Sequence, residues 1–217
     1  MGTSIEESTI YNLLKMTDEN RQAFLRRLLD PVNGMGMSLM RVTVGTSDFT
    51  AQDFYTYYDG TGKELDGKPD WNNVTGKGFS IQKDKDLGII KVINEMQAIA
   101  KELGVEDNLK FFASSWTPPG WMKLPTSSSN SYEDNELLLK GGKLNDDYID
   151  DLAKYMVRYV EEYQKCGIPI YAMTIQNEPL LEINYPSCAM TGTQEAKIAK
   201  AIKAELAKST VLKDNEK

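Results

Sequence analysis

Three short runs rich in β-branched and aromatic residues constrain the fold of this chain more than any other feature: Leu39-Met40-Arg41-Val42-Thr43-Val44, Leu109-Lys110-Phe111-Phe112-Ala113 and Ile170-Tyr171-Ala172-Met173-Thr174-Ile175. Each reads as a strand, and amphipathic segments separate them. Ahead of the first, Thr17 is an N-cap before Asp18 and Glu19, and Phe24, Leu25, Leu28 and Leu29 give a helix its apolar face until Asp30-Pro31 stops it. From Asp86 to Leu103, Ile89, Val92, Ile93, Met96, Ile99 and Leu103 recur at helical spacing, and Gly104 closes the segment. A further helix over Asp146 to Gln164 opens on Asp146, Asp147, Asp150 and Asp151, which suit a helix N-terminus, and buries Ile149, Leu152, Met156, Val160 and Tyr163 before Gly167. The last helix spans Thr193 to Leu206 with Ile198, Ala201, Ile202 and Leu206 inward, while Lys197, Lys200, Lys203 and Lys208 form a solvated face.

Helical connections between parallel strands cross over with a right hand, so this order predicts a parallel sheet covered by helices. A barrel and an open sheet both satisfy it. In either, the functional rim lies at the C-terminal strand ends. That places Asp48, just beyond Gly45-Thr46-Ser47, together with Trp116 and Glu178 on one rim. Pro118-Pro119 ends any strand before Trp121, so the tryptophan-rich segment is a rim loop. The long segment Phe49 to Lys83 carries Tyr55, Tyr57, Tyr58 and Trp71 among Gly, Asp and Asn, a composition that suits a binding rim. A doubly wound nucleotide-binding domain needs a glycine-rich turn after its first strand, and Val44-Gly45-Thr46-Ser47 has one glycine.

Composition narrows the chemistry. The 217 residues, 41% hydrophobic, suffice for one globular domain, and 25 basic against 32 acidic side chains give a net charge of −7 with no basic footprint for nucleic acid. No apolar run is long enough for a membrane span, and no signal peptide is visible. The chain has no histidine, so Ser-His-Asp catalysis and histidine-based metal sites are excluded. Cys166 and Cys188 lack the spacing of a redox or zinc motif. Neither a cofactor nor a metal is implied. Proton transfer falls to carboxyl, Tyr, Lys or Cys groups.

Glu178, in Thr174-Ile175-Gln176-Asn177-Glu178-Pro179, sits where a strand delivers a carboxyl between an amide and a proline. Partial desolvation there would raise its pKa toward the working pH and let it donate a proton. A polar turn ending a strand has the same composition. Trp116 and Trp121 offer flat faces for a sugar ring or for core packing, and Asp48 and Arg41 either bind hydroxyls or cap a turn.

Taken together the segments resemble glycoside hydrolase family 30, the glucosylceramidase-like retaining β-glycosidases built on (β/α)8 barrels. Gly34-Met35-Gly36-Met37-Ser38-Leu39-Met40-Arg41-Val42, Gly45-Thr46-Ser47-Asp48-Phe49 with Tyr55-Thr56-Tyr57, and Ser114-Ser115-Trp116-Thr117-Pro118-Pro119-Gly120-Trp121-Met122-Lys123 carry the resemblance, with Gln176-Asn177-Glu178-Pro179 and Tyr185-Pro186-Ser187-Cys188. It implies an α/β fold: an incomplete (β/α)8 TIM barrel of about three βα units with parallel strands. It implies Glu178 as acid/base, Asn177 on the sugar 2-hydroxyl, Asp48 and Trp116 in the innermost subsite, and Trp121 behind them. The substrate class implied is carbohydrate: a β-glucoside, glucosylceramide or β-glucan.

The sequence departs from the family in one respect that matters. The second carboxylate, the nucleophile, belongs at the end of a much later strand, and after Glu178 only the Thr193 to Leu206 helix and a charged tail are read. Glu182 and Asp48 are poor substitutes, one too close in sequence and the other better placed for hydroxyls. Residues 1–217 are therefore expected to be a partial barrel domain, with the first strand and later strands missing, inactive by itself and prone to self-association through exposed sheet edges. The alternative is a non-catalytic carbohydrate- or partner-binding module. Localisation stays undetermined, although related enzymes are commonly secreted or lysosomal.

Overall fold

The computed structural model describes residues 1–59, 71 and 78–212. Its centre is a four-stranded parallel sheet in the order β1 (Gly2–Ile5), β2 (Leu39–Val44), β3 (Lys110–Ser115) and β6 (Ile170–Thr174). Between β3 and β6 a small antiparallel ribbon forms from β4 (Lys123–Leu124) and β5 (Lys143–Leu144). The expected parallel sheet and its three strands are present. Gly2–Ile5, expected to follow a missing first strand, is itself a strand, paired with β2 from Gly2↔Leu39 to Ile5↔Val42. Four residues with a single apolar anchor, Ile5, are too short to show the alternation that marks a strand.

Two helices, α1 (Glu7–Leu14) and α2 (Asp18–Leu29), connect β1 to β2. Thr17 caps α2 by accepting from the Asn20 backbone, but Phe24, expected inward, is exposed. The expected Asp86 to Leu103 helix is two pieces, α3 (Gln82–Asp86) and α4 (Ile89–Glu102). Gly88 divides them in a left-handed conformation, φ +75°, and a Cβ there would lie 2.6 Å from Leu14 Cδ1. Buried Arg21 of α2 clasps Glu95 of α4 through Nε at 2.7 Å and Nη2 at 2.9 Å. After a short α5 (Ser127–Ser131), α6 (Ile149–Lys165) and α7 (Gly192–Leu206) complete the helical layer.

Strand alternation separates two chemistries. Met40, Val42, Val44, Phe111 and Ala113 join the core beneath the helices, where Val92, Ile93, Met96 and Leu152 are also buried. The other face carries Phe112 and Ala172 among paired polar groups: Arg41 Nε donates to Ser4 Oγ at 3.0 Å, and Ser114 Oγ lies 2.7 Å from Thr174 Oγ1.

The largest revision concerns the expected binding rim. Tyr55, Tyr57 and Tyr58 are fully buried, and Trp71 Nε1 donates to Asp151 Oδ1 at 3.0 Å; the remainder of that segment, 60–70 and 72–77, lies outside the described residues. Tyr57 stacks on Tyr155 and Tyr159 of α6. The hydroxyls converge on one carboxylate, for Asp84 accepts from Tyr55 at 2.9 Å, Tyr57 at 2.6 Å and Tyr163 at 2.5 Å. Aromatic density signalled a core because the phenols of Tyr55, Tyr57 and Tyr163 find a buried acceptor in Asp84.

Burial raises the Asp84 pKa from 3.8 to about 6, and the hydroxyls of Tyr163, Tyr57 and Tyr55 oppose the rise. Because the folded state binds this proton more tightly than the unfolded chain, the group's contribution to stability is complete below about pH 4 and declines as pH rises to 6. The stability of the wild type relative to Asp84→Asn should therefore grow by roughly 2 kcal/mol between pH 6 and pH 4. Urea unfolding at several pH values measures it, and a difference that stays flat would refute this role for Asp84.

Candidate active site

The C-terminal ends of β2, β3 and β6 are tied together before any rim side chain is placed. At the end of β6 the chain leans onto β3: Asn177 N–H donates to Ser115 C=O at 2.6 Å, and Gln176 Nε2 donates to Trp116 C=O at 2.6 Å. Gln176 and Ser115 are buried, and Gln176 Oε1 and Ser115 Oγ make no hydrogen bond to other described groups. The Gln-Asn-Glu-Pro segment is thereby a bracket between strands.

Out of that bracket Glu178 emerges with φ +50°, one of three non-glycine residues at positive φ among those described. A side chain in this region costs about 1–2 kcal/mol and persists only where surrounding bonds enforce it. The carboxylate is exposed, so the desolvation expected around Glu178 is not supplied by the described residues. Asn177 Nδ2 donates to Glu178 Oε2 at 3.3 Å and Tyr185 Oη approaches the same oxygen at 3.5 Å. The Tyr185 phenol is raised above its ordinary pKa by desolvation and by the negative charges of Glu178 and Asp48. Asp48, Asn177, Glu178 and Tyr185 therefore share one rim. Tyr185 was legible only as part of a motif, with nothing in its spacing to assign it a carboxylate partner.

The tryptophans sit lower. Trp116 is 3% exposed, with the Arg41 guanidinium 4.8 Å from its ring centre. Arg41 also pairs with buried Glu6 at 3.0 Å, a carboxylate that sequence reasoning did not single out. Its position is explained by β1, the strand that went unread. Trp121 Nε1 donates to Tyr58 C=O at 3.0 Å, and its ring packs edge-on against Tyr58 and Tyr148. It anchors the loop from behind.

Glu182, four residues on, is turned away from this rim. Thr126 Oγ1 donates to its carboxylate, and Tyr132 Oη donates to its backbone carbonyl at 3.4 Å. Among the described residues no group of three or more His, Cys, Asp or Glu side chains is disposed to hold a metal ion. The arrangement can accept hydrogen bonds from hydroxyls and exchange a proton through Glu178.

Comparison with known proteins is consistent from end to end. Residues 1–215 match the model of the Glycosyl hydrolase family 30 TIM-barrel domain. An endo-1,6-beta-D-glucanase of Aspergillus fumigatus is 29% identical over 202 residues, 91% of this chain and 38% of that protein. The lysosomal acid glucosylceramidase of Mus musculus is 26% identical, over 89% of this chain and 34% of its own length. A solved endo-beta1,6-glucanase superposes with a TM-score of 0.75 at 31% identity, covering 95% of this chain and 41% of that one. The chain thus spans about 40% of the length of the relatives it matches first.

The positive φ of Glu178 has a measurable signature. Glycine tolerates φ +50° without the Cβ clash, so Glu178→Gly should be more stable than Glu178→Ala by about 1 kcal/mol, against the usual ranking of these residues. Chemical denaturation of the two variants decides it; an alanine variant equal or superior to glycine would show that the backbone there is unstrained.

Proposed function

The chain belongs to glycosyl hydrolase family 30, and from that premise we propose that it carries the proton-transferring part of a retaining β-glycosidase site, with Glu178 as general acid and base. The observation that carries this reading is the carboxylate itself, set out from the end of β6 on a left-handed backbone with Asn177 and Tyr185 on one oxygen. In the first step Glu178 protonates the departing glycosidic oxygen while a second carboxylate, about 5–5.5 Å away, attacks the anomeric carbon. In the second, Glu178 takes a proton from water as that water displaces the glycosyl ester, and configuration is retained. Asn177 and Asp48 are assigned to sugar hydroxyls, and Trp116 to the floor of the same subsite. Glu182, engaged by Thr126, is not the attacking group. On this reading the attacking carboxylate comes from outside the described residues.

Glucan is favoured over glucosylceramide by the surface beside the acid/base. A cleft of about 640 Å³ is lined by Thr50, Gln52, Asp53, Phe54, Glu136 and Lys140, among others. Thr50 is two residues from Asp48, and Lys140 bridges Pro186 next to Tyr185, so the cleft and the rim are built from the same connections. Charged and amide groups alternate there with Phe54, Leu137 and Leu139, a mixture that suits a further sugar, with its hydroxyls and C–H face, better than an acyl chain. The relatives named for β-1,6-glucan make that linkage the first to try.

Calorimetric titration of the chain with β-1,6-linked glucose oligomers should give measurable binding, weakened about tenfold (roughly 1.4 kcal/mol) in Asp48→Asn or Asn177→Ala. No heat at tens of millimolar sugar would sink the binding assignment. Proton donation is read from kcat/KM in a protein that carries these residues together with the second carboxylate: Glu178→Gln should slow hydrolysis of β-glucosides with poor leaving groups by about 10²–10⁴-fold. Dinitrophenyl glucosides, whose aglycone departs unprotonated, should lose far less; equal losses would mean that Glu178 does not donate a proton.

A further inference from the structure

Lys123 is a buried ammonium that the glycosidase reading does not use. It is 5% exposed, and its Nζ donates to Thr117 Oγ1 at 3.0 Å, Leu139 C=O at 3.2 Å and Ser187 C=O at 2.8 Å. All three donors are satisfied, and each acceptor belongs to a different stretch: the turn after β3, the loop before β5 and the loop after Glu178. No ion pair with Lys123 occurs among the described residues, so its charge rests on oxygen dipoles; Glu182 and Cys188 are the titratable groups that act on it. Burial lowers the Lys123 pKa to about 8, and burial pushes the neighbouring Cys188 thiol up to about 11. A residue needed only to fill this space would be better served by methionine, which has no charge to desolvate.

What Lys123 grips explains the charge. Ser187, whose carbonyl it holds, closes a turn: Ser187 Oγ accepts from Ile183 N–H at 3.2 Å and donates to Ile183 C=O at 3.1 Å, and it accepts from Gly141 N–H at 3.0 Å. Ser187 N–H donates to Leu139 C=O at 3.2 Å, the second carbonyl that Lys123 holds. Tyr185 sits at the middle of that turn, with its hydroxyl 3.5 Å from Glu178 Oε2. We propose that Lys123 is a positioning residue for the acid/base: by fixing the Ile183 to Ser187 turn against the β3 loop, it sets the Tyr185 hydroxyl on the Glu178 carboxylate. The functional meaning rests on the assignment of Glu178 above, but the coupling it asserts exists with or without sugar chemistry.

Carbon-13 NMR of the chain labelled at tyrosine Cζ and glutamate Cδ tests it. In the wild type the Tyr185 phenol should titrate above the ordinary tyrosine value, and Glu178→Gln should remove part of that rise. Lys123→Met, which touches neither group, should reproduce most of the Glu178→Gln effect, and Ser187→Ala should do so from the other end of the turn. A folded Lys123→Met or Ser187→Ala with wild-type Tyr185 titration overturns the proposal. Failure of these measurements leaves sugar binding by Asp48 and Asn177 untouched, and failure of sugar binding leaves them untouched.

Discussion

Everything at the rim depends on how the connection after β2 is folded back, and a single buried carboxylate controls that. Asp84, at the start of α3, accepts from tyrosines at 55, 57 and 163 and so joins the β2 loop to α6 across the core. Ionised carboxyl groups are stable in such surroundings only with several donors, which is why three phenols gather there. Tyr57 also reaches toward the Thr43 carbonyl at 3.5 Å, linking the same cluster to β2 itself. Once this connection is fixed, Gly45 to Asp48 can occupy one place only at the sheet's end. The remaining rim loops are then set against it.

The second layer of organisation is the bracket between β3 and β6. Parallel strands deliver their loops to the same end, but they do not align side chains from different loops. Alignment comes from Gln176 and Asn177, which hold the end of β6 to the carbonyls of Trp116 and Ser115. Held in this way, the next residue has little choice of backbone, and Glu178 takes a left-handed φ that glycine would adopt more readily. The stability lost there is the consequence of aiming a carboxylate outward from a strand end.

The legible part of the fold was the part governed by periodicity. The strands at Leu39, Lys110 and Ile170, and the helices packed by Ile93, Leu152 and Ile198, bury apolar groups at regular spacing, and spacing is visible in a sequence. The family motifs carried Asp48, Asn177 and Glu178 to a common rim. What escaped was set by contacts between residues far apart. Tyr55, Tyr57 and Tyr58 looked like a surface because their neighbours are polar, and their acceptor, Asp84, lies 27 to 29 residues away from Tyr57 and Tyr55. Gly88 looked like an ordinary helix residue because both its left-handed φ and the approach of Leu14, from the first helix, arise only in the folded chain. Lys123 read as the last letter of a motif, since its three acceptors come from positions 117, 139 and 187.

The polar face of the sheet limits where a ligand can be recognised. Arg41 is committed to Ser4, Glu6 and the Trp116 ring, and Ser114 to Thr174, so these side chains already have partners. A sugar placed against them would have to displace bonds inside the sheet, and each such exchange returns little net free energy. Above them the situation reverses. Asp48 and Glu178 are exposed carboxylates, and the Tyr185 hydroxyl is the group the fold brings beside Glu178. On the proposed reading, hydroxyls arriving there meet groups whose bonds lie within the rim and not within the sheet. The paired layer beneath the rim is, on that reading, a support that keeps its geometry when a ligand comes and goes, and sugar recognition falls to residues in the loops beyond the strand ends.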